Sequence, residues 1–116
     1  MYDKIPDFSE TESWVIRQAV TERFHKEIDI QQADSELRLN PGDRELTFCP
    51  VVYRRDGKAQ FVIFKTGEQN YRNQFFYSVR DQYGTGRDEY TDIGECVMIL
   101  LQVQADHAAK NALIPA

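Results

Sequence analysis

Four residues of this 116-residue chain are of the types that hold zinc: Cys49, Cys96, His25 and His107. Zinc sites draw their ligands in close sequence pairs. Here no two of the four lie within five positions of each other, so they read as two buried thiols and two helix-surface imidazoles, with no metal expected. Asp106-His107, and Glu22 with His25, offer carboxylate–imidazole pairs for proton transfer. Adjacent helical residues point apart, and pairs three apart are ordinary on solvated faces. No serine stands in a nucleophile-elbow pattern. Gly84-Thr85-Gly86 precedes a helical pattern, where backbone N–H groups attract phosphate. It lacks both the third glycine and the lysine of the phosphate-binding loops, so it reads as a plain connection. These residues set the expectation of a protein that is not an enzyme and carries no cofactor.

The set with the most chemical content pairs aromatics with arginines: Tyr53-Arg54-Arg55, Tyr71-Arg72 and Phe75-Phe76-Tyr77, all on strand-like runs. Sheets that bind single-stranded nucleic acid present aromatics for base stacking beside cations. The aromatic–glycine motif of such sheets is missing and the overall charge is acidic, so nucleic acid is not the expected partner. Arginine also grips phosphate or carboxylate through paired hydrogen bonds. Arg54, Arg72, Arg80 and Arg87, with Tyr53 and Tyr71 as flat neighbours, are therefore the ligand-binding candidates if a compact anion is bound. Arg72 and Arg80 share a strand parity.

The elements that must position these residues follow from period and punctuation. Ser9 with Glu12 three positions on is a capping box, and Ile16, Val20 and Phe24 behind it lie on one helical face; a helix is expected over about 10–25. Ile28 and Ile30 alternate with polar residues, but Ala33, Leu37 and Leu39 take the opposite parity, which predicts a bulge or break near Gln31–Gln32. Asn40-Pro41-Gly42-Asp43 is a turn. Residues 46–55 form a strand with apolar residues on both faces, in which Pro50 demands an irregularity or an edge. Asp56-Gly57 marks a tight hairpin into Gln60–Thr66. Gly67-Glu68-Gln69-Asn70 turns into Tyr71–Arg80, and 81–90 reads as a polar loop. From Ile93 onward the 3.6-residue period returns. Met98, Ile99 and Val103 fall off its main face, as in a helix buried on more than one side.

The expected fold is α+β: an N-terminal helix, a four-stranded antiparallel meander and a C-terminal helix, with both helices on one sheet face. The chain has the length of a single domain, 1–116, with 1–8 and 111–116 read as loose ends. Hydrophobic residues make up 41% and charged residues 28%, an ordinary globular balance. No apolar run approaches the length of a membrane span, and the first residues do not read as a secretory leader. Two widely spaced cysteines fit reduced thiols, so a cytoplasmic setting is expected.

The net charge of −5 is unevenly spread: residues 1–46 carry −5, residues 47–87 carry +4 and residues 88–116 carry −4. Either the acidic ends complement the basic middle within the fold, or the middle presents an anion-binding face. Apolar residues beyond the needs of one sheet face lead to the functional expectation. It is a small accessory or regulatory protein acting through protein–protein contacts, as a homo-oligomer or on another protein. The alternative is a binder of an anionic ligand or single-stranded nucleic acid through the basic and aromatic strand residues.

Overall fold

The computed structural model describes residues 5–25, 30–37, 39, 42–56, 59–78, 81–87 and 89–112. Helix α1 is Glu10–Phe24. It starts where the capping box places it: the Ser9 hydroxyl accepts the Glu12 N–H at 3.1 Å, and Glu12 Oε1 accepts the Ser9 N–H at 2.7 Å. Two N–H groups that the helix leaves unbonded are thereby satisfied. The helix stops at His25, whose φ of 57° turns the chain into the left-handed region while its N–H still bonds the Thr21 carbonyl.

Among the described residues five strands follow: β1 Gln31–Leu37, β2 Thr47–Asp56, β3 Ala59–Gly67, β4 Asn70–Phe76 and β5 Gln82–Tyr83. They lie side by side in chain order, each antiparallel to the next. Helix α2, Ile93–Ala112, closes the chain. The α+β meander between two helices is as expected, but with five strands instead of four. The extra strand, β5, lies inside the stretch expected to be a loop. It is two residues long, too short to show a period, and is held by pairing with Phe75 and Phe76.

Two local expectations need correction. The β1–β2 ladder runs without interruption from Gln31↔Tyr53 to Leu37↔Thr47, so no bulge lies at Gln31–Gln32. The irregularity falls between Lys65 and Gly67 instead. The change of parity arises because β1 begins only at Gln31: Ile30, just before it, packs against the core, and Ala33 and Leu37 lie on the other face. Strand β4 ends at Phe76, short of the expected Arg80. Within the N-terminal stretch, Phe8 is buried and belongs to the core, whereas Pro6 and Asp7 are exposed; residues 1–4 lie outside the described residues. Pro50, with no N–H to donate, lies just past the end of the β2–β3 ladder, where β2 pairs with β1 alone. The Asp56-Gly57 hairpin closes at Asp56↔Ala59; the turn residues 57 and 58 are outside the described residues.

Residues opposite each other in an antiparallel ladder share a face. Gln32, Val52, Ile63 and Asn73 form one such row and face the helices. Ala33, Val51, Phe64 and Arg72 form a row on the other face. Ile16 and Val20 of α1 and Cys96, Val97, Leu100 and Leu101 of α2 meet Val52, Phe61, Ile63 and Phe75 in the core. Each such side chain contributes about 1.5–3 kcal/mol by leaving water. Helix α2 lies over β3 and β4, and α1 packs beside α2. Off the main face of α2, Ile99 and Val103 are half-buried and Met98 is exposed. At the β1 side Gln32 Nε2 donates to Ser13 Oγ of α1 at 3.3 Å, while Asp34 and Glu36 further along the strand are exposed.

Candidate functional site

A concentrated polar group sits beneath the N-terminus of α1. Lys65 points from β3 to the helix face, on the same parity as Phe61 and Ile63. Its Nζ donates to Glu12 Oε1 at 2.6 Å and to the Asp7 carbonyl at 3.1 Å. Tyr71, on β4 opposite Lys65, donates its hydroxyl to Glu12 Oε2. Lys65 and Tyr71 are each 4% exposed. Burial pushes the Glu12 carboxyl up, but hydrogen bonds from Lys65, the Ser9 N–H and Tyr71 outweigh it and hold the carboxyl below its ordinary value. Burial first, then the bond to Glu12, pushes the Tyr71 phenol well above its own. This arrangement ties α1, β3 and β4 together. Both carboxylate oxygens of Glu12 are engaged, and neither Glu12, Lys65 nor Tyr71 lines the large cleft described below. It is the geometry of a structural anchor.

A second, partly buried network joins β4 to the approach to α2. Asn73 Nδ2 donates to the Cys96 carbonyl at 2.8 Å. Thr85 Oγ1 donates to Asn73 Oδ1 at 2.6 Å and lies 2.5 Å from the Tyr90 hydroxyl. Thr85 of the Gly-Thr-Gly run thus turns inward. The start of α2 is capped by Asp92 Oδ1, which accepts the Glu95 N–H at 3.0 Å, and Glu95 adds a negative charge in the first turn. An acidic cap of this kind fills the position that a phosphate would take.

The six ligand-binding candidates do not converge. Tyr53 lies on the face away from the helices, its hydroxyl on Gln60 Oε1 at 2.6 Å. Arg54 lies on the helix face, its guanidinium 5.5 Å from the Phe24 ring centre. Arg72 is on the far face again, donating to the Leu39 carbonyl at 2.8 Å. Arg87 is engaged with Glu95 and lies over the Tyr90 ring at 4.8 Å. Tyr71 is the buried partner of Glu12. Arg80 lies outside the described residues.

The ion pairs Lys65–Glu12, Arg72–Glu89 and Arg87–Glu95 each join the basic middle of the chain to one of its acidic ends. The uneven charge is to that extent spent within the fold. Of the four zinc-type residues, Cys49 lies on the far face of the sheet and Cys96 in the core. His107 packs against Tyr77 and Tyr83, and His25 ends α1. Among the described residues no group of three His, Cys, Asp or Glu side chains could hold a metal ion.

What the residue types did not single out is a cleft of about 1080 Å³ at one end of the sheet. It forms where β2 begins and β3 ends, beyond the reach of the helices. Ile5, Pro6, Leu39, Leu46 and Phe48 give it an apolar lining; Asp43, Glu45 and Glu68 give it an acidic one. Phe48 is 65% exposed and Leu46 48% exposed. The available signal was the surplus of apolar residues over 46–55, but not which of them the helices would leave uncovered.

Comparison with protein-family models, curated proteins and solved structures gives no match to this chain. Geometry alone carries the functional reading.

Proposed function

We propose that this is a non-enzymatic accessory or regulatory protein that works through protein–protein contact, with the Phe48 end of the sheet as its contact surface. The observation that carries this reading is the exposure of Phe48 and Leu46 in a cleft beside an edge strand. Large apolar side chains grouped in a concavity with a polar rim are characteristic of interaction sites. Trp14 and Met98 are also exposed, but they lie on the helices and do not line this cleft.

A cytoplasmic setting belongs to the same proposal and is supported by two free, buried cysteines. Among the described residues no helix is long and apolar enough to cross a membrane. The anion or nucleic-acid reading has weaker support, because Arg54 and Arg72 point to opposite faces and Arg72 and Arg87 have carboxylate partners.

The protein-contact reading covers both a second copy of the chain and a different protein. Light scattering over a range of concentrations detects the first. A photo-crosslinking residue in place of Phe48 detects either: covalent adducts with protein at position 48, and none with the same group at exposed Arg17, are expected. Equal labelling at both positions, or none at either, overturns the proposal.

A further inference from the structure

We infer that the cleft and the open edge of β1 together receive an extended, basic segment of another protein, added to the sheet as a strand beside β1 with an apolar side chain against Phe48. This inference rests on the protein-contact reading and names the partner.

The edge comes first. Strand β1 ends the sheet, and among the described residues no strand lies beyond it. An edge strand offers a row of N–H and C=O groups that an incoming chain can pair with. Proteins usually block such edges with proline, charged side chains (lysine above all), a bulge or a very short strand. The seven residues Gln31–Leu37 contain neither proline nor lysine, and their register with β2 is unbroken. The charged side chains on β1 are Asp34 and Glu36, both exposed and both on the face that carries Phe48.

The anchor lies next to that edge. Glu36 is directly opposite Phe48 in the β1–β2 ladder. A strand added outside β1 would bring alternate side chains onto this same face. One of them could lie across Glu36 toward Phe48 and Leu46, and its neighbours on that face would lie beside the carboxylates.

Charge then selects the occupant. Asp34 and Glu36 flank the edge and carry the selection; among the described residues the cleft lining holds Asp43, Glu45 and Glu68 with Arg44 as its basic member, Asp43 and Glu45 being engaged within the chain. Opposite charges across a strand pair are favourable and like charges are not. A second copy joined along β1 by a two-fold axis would set the Asp34 and Glu36 carboxylates of one chain beside the same groups of the other, in a protein of net charge −5. A lysine- or arginine-rich segment meets no such repulsion.

The test uses the whole chain and a labelled peptide alternating lysine with valine around one central leucine, followed by fluorescence anisotropy. The lysine peptide is expected to bind, and to weaken by about tenfold or more as salt screens the contact. The same peptide with glutamate for lysine should not bind. Phe48→Ala should weaken binding about tenfold, and Asp34→Lys with Glu36→Lys should transfer the preference to the glutamate peptide. N-methylation of the alternate peptide residues that face β1 should abolish binding, while methylation of the others should not.

All three substituted side chains are exposed, and thermal melts verify that the variants fold. Unchanged affinity of the lysine peptide for Phe48→Ala or for the charge-reversed variant overturns the inference. So does indifference to N-methylation. A dimer that Phe48→Ala dissolves, with no peptide bound, overturns the basic partner but leaves the protein-contact reading standing. Neither peptide binding nor self-association, with no crosslinks at position 48, overturns both.

Discussion

Lys65 Nζ lies 2.6 Å from Glu12 Oε1 across a sequence separation of 53 residues, and both groups are buried. A buried ion pair contributes little net stability when intact, because desolvation offsets the attraction. Removing one partner is costly, because it leaves the other charge buried alone. Lys65→Met should therefore lower the unfolding free energy by about 3–5 kcal/mol, measured by urea titration. Adding Glu12→Gln should recover a good part of that loss. The amide oxygen can still accept a hydrogen bond at this site, and no charge is left behind. A single variant as stable as the wild-type protein would show that the pair is not closed to water.

The same carboxylate sets the acid limit. Its folded-state value lies below the ordinary 4.5. It therefore contributes stability that is fully present above about pH 4.5 and lost as the pH falls through the lower, folded value. Unfolding measured from pH 7 down to pH 3 should show this loss, and Glu12→Gln should have a shallower acid slope. At the alkaline end Tyr71 acts in the opposite sense. Its phenol is raised above the ordinary 10.0, so its contribution is held below pH 10 and lost as the pH rises beyond it.

Cys49 and Cys96 lie on opposite sides of the sheet, both fully buried. Burial pushes the Cys96 thiol up to about 12 and raises that of Cys49. The thiolate is the reactive form. Labelling of the native protein at pH 8 should therefore be slow, should accelerate on adding urea, and should reveal no bridge between the two after mild oxidation. Rapid labelling of either cysteine in the native state would contradict this placement.

Arg72 makes two contacts of unequal weight. Its bond to the Leu39 carbonyl is short, whereas its pairing with Glu89 is 3.5 Å long and exposed. Hydrogen bonds from charged groups contribute about 1.5–3 kcal/mol, and exposed ion pairs about 0–1 kcal/mol. Arg72→Gln should thus cost clearly more stability than Glu89→Gln. Equal urea midpoints for the two variants would show that the Leu39 tether carries no weight.

Phe48 and Phe61 test the difference between surface and core. Phe61 is 4% exposed, and Phe61→Ala should cost about 3–5 kcal/mol. Phe48→Ala should stay within about 0.5 kcal/mol, as a surface change does. A large loss at Phe48 would make it a structural residue and remove the anchor from the proposed contact surface.

Much of the architecture is local and could be read along the chain. Ser9 and Glu12 cap α1 because a hydroxyl and a carboxylate three positions apart meet two unbonded N–H groups, whatever lies around them. Asp56-Gly57 joins β2 to β3, and short connections force antiparallel neighbours. The 3.6-residue period from Ile93 places Val97, Leu100 and Leu101 on one face of α2. These outcomes depend on bond geometry within a few residues, so sequence alone determined them. Strand β5 escaped notice because two residues have no period; it exists only because Phe75 and Phe76 are there to pair with it.

The site was decided by tertiary structure. Lys65 lies on the same face as Phe61 and Ile63, and nothing local says that Glu12 and Tyr71 would meet it. The arginines looked like one basic group in one dimension. The pleat sends Arg54 and Arg72 to opposite faces, and the folded chain pairs Arg72 with Glu89 and Arg87 with Glu95. Leu46, Phe48 and Val52 share a parity, and the sequence treats them alike. Only the position of the helices separates them: the core that includes α1 and α2 covers Val52, and the sheet runs on past the helices and leaves Phe48 in water. Which apolar residue becomes core and which becomes surface is a matter of what else reaches it, and that is fixed between elements far apart in the chain.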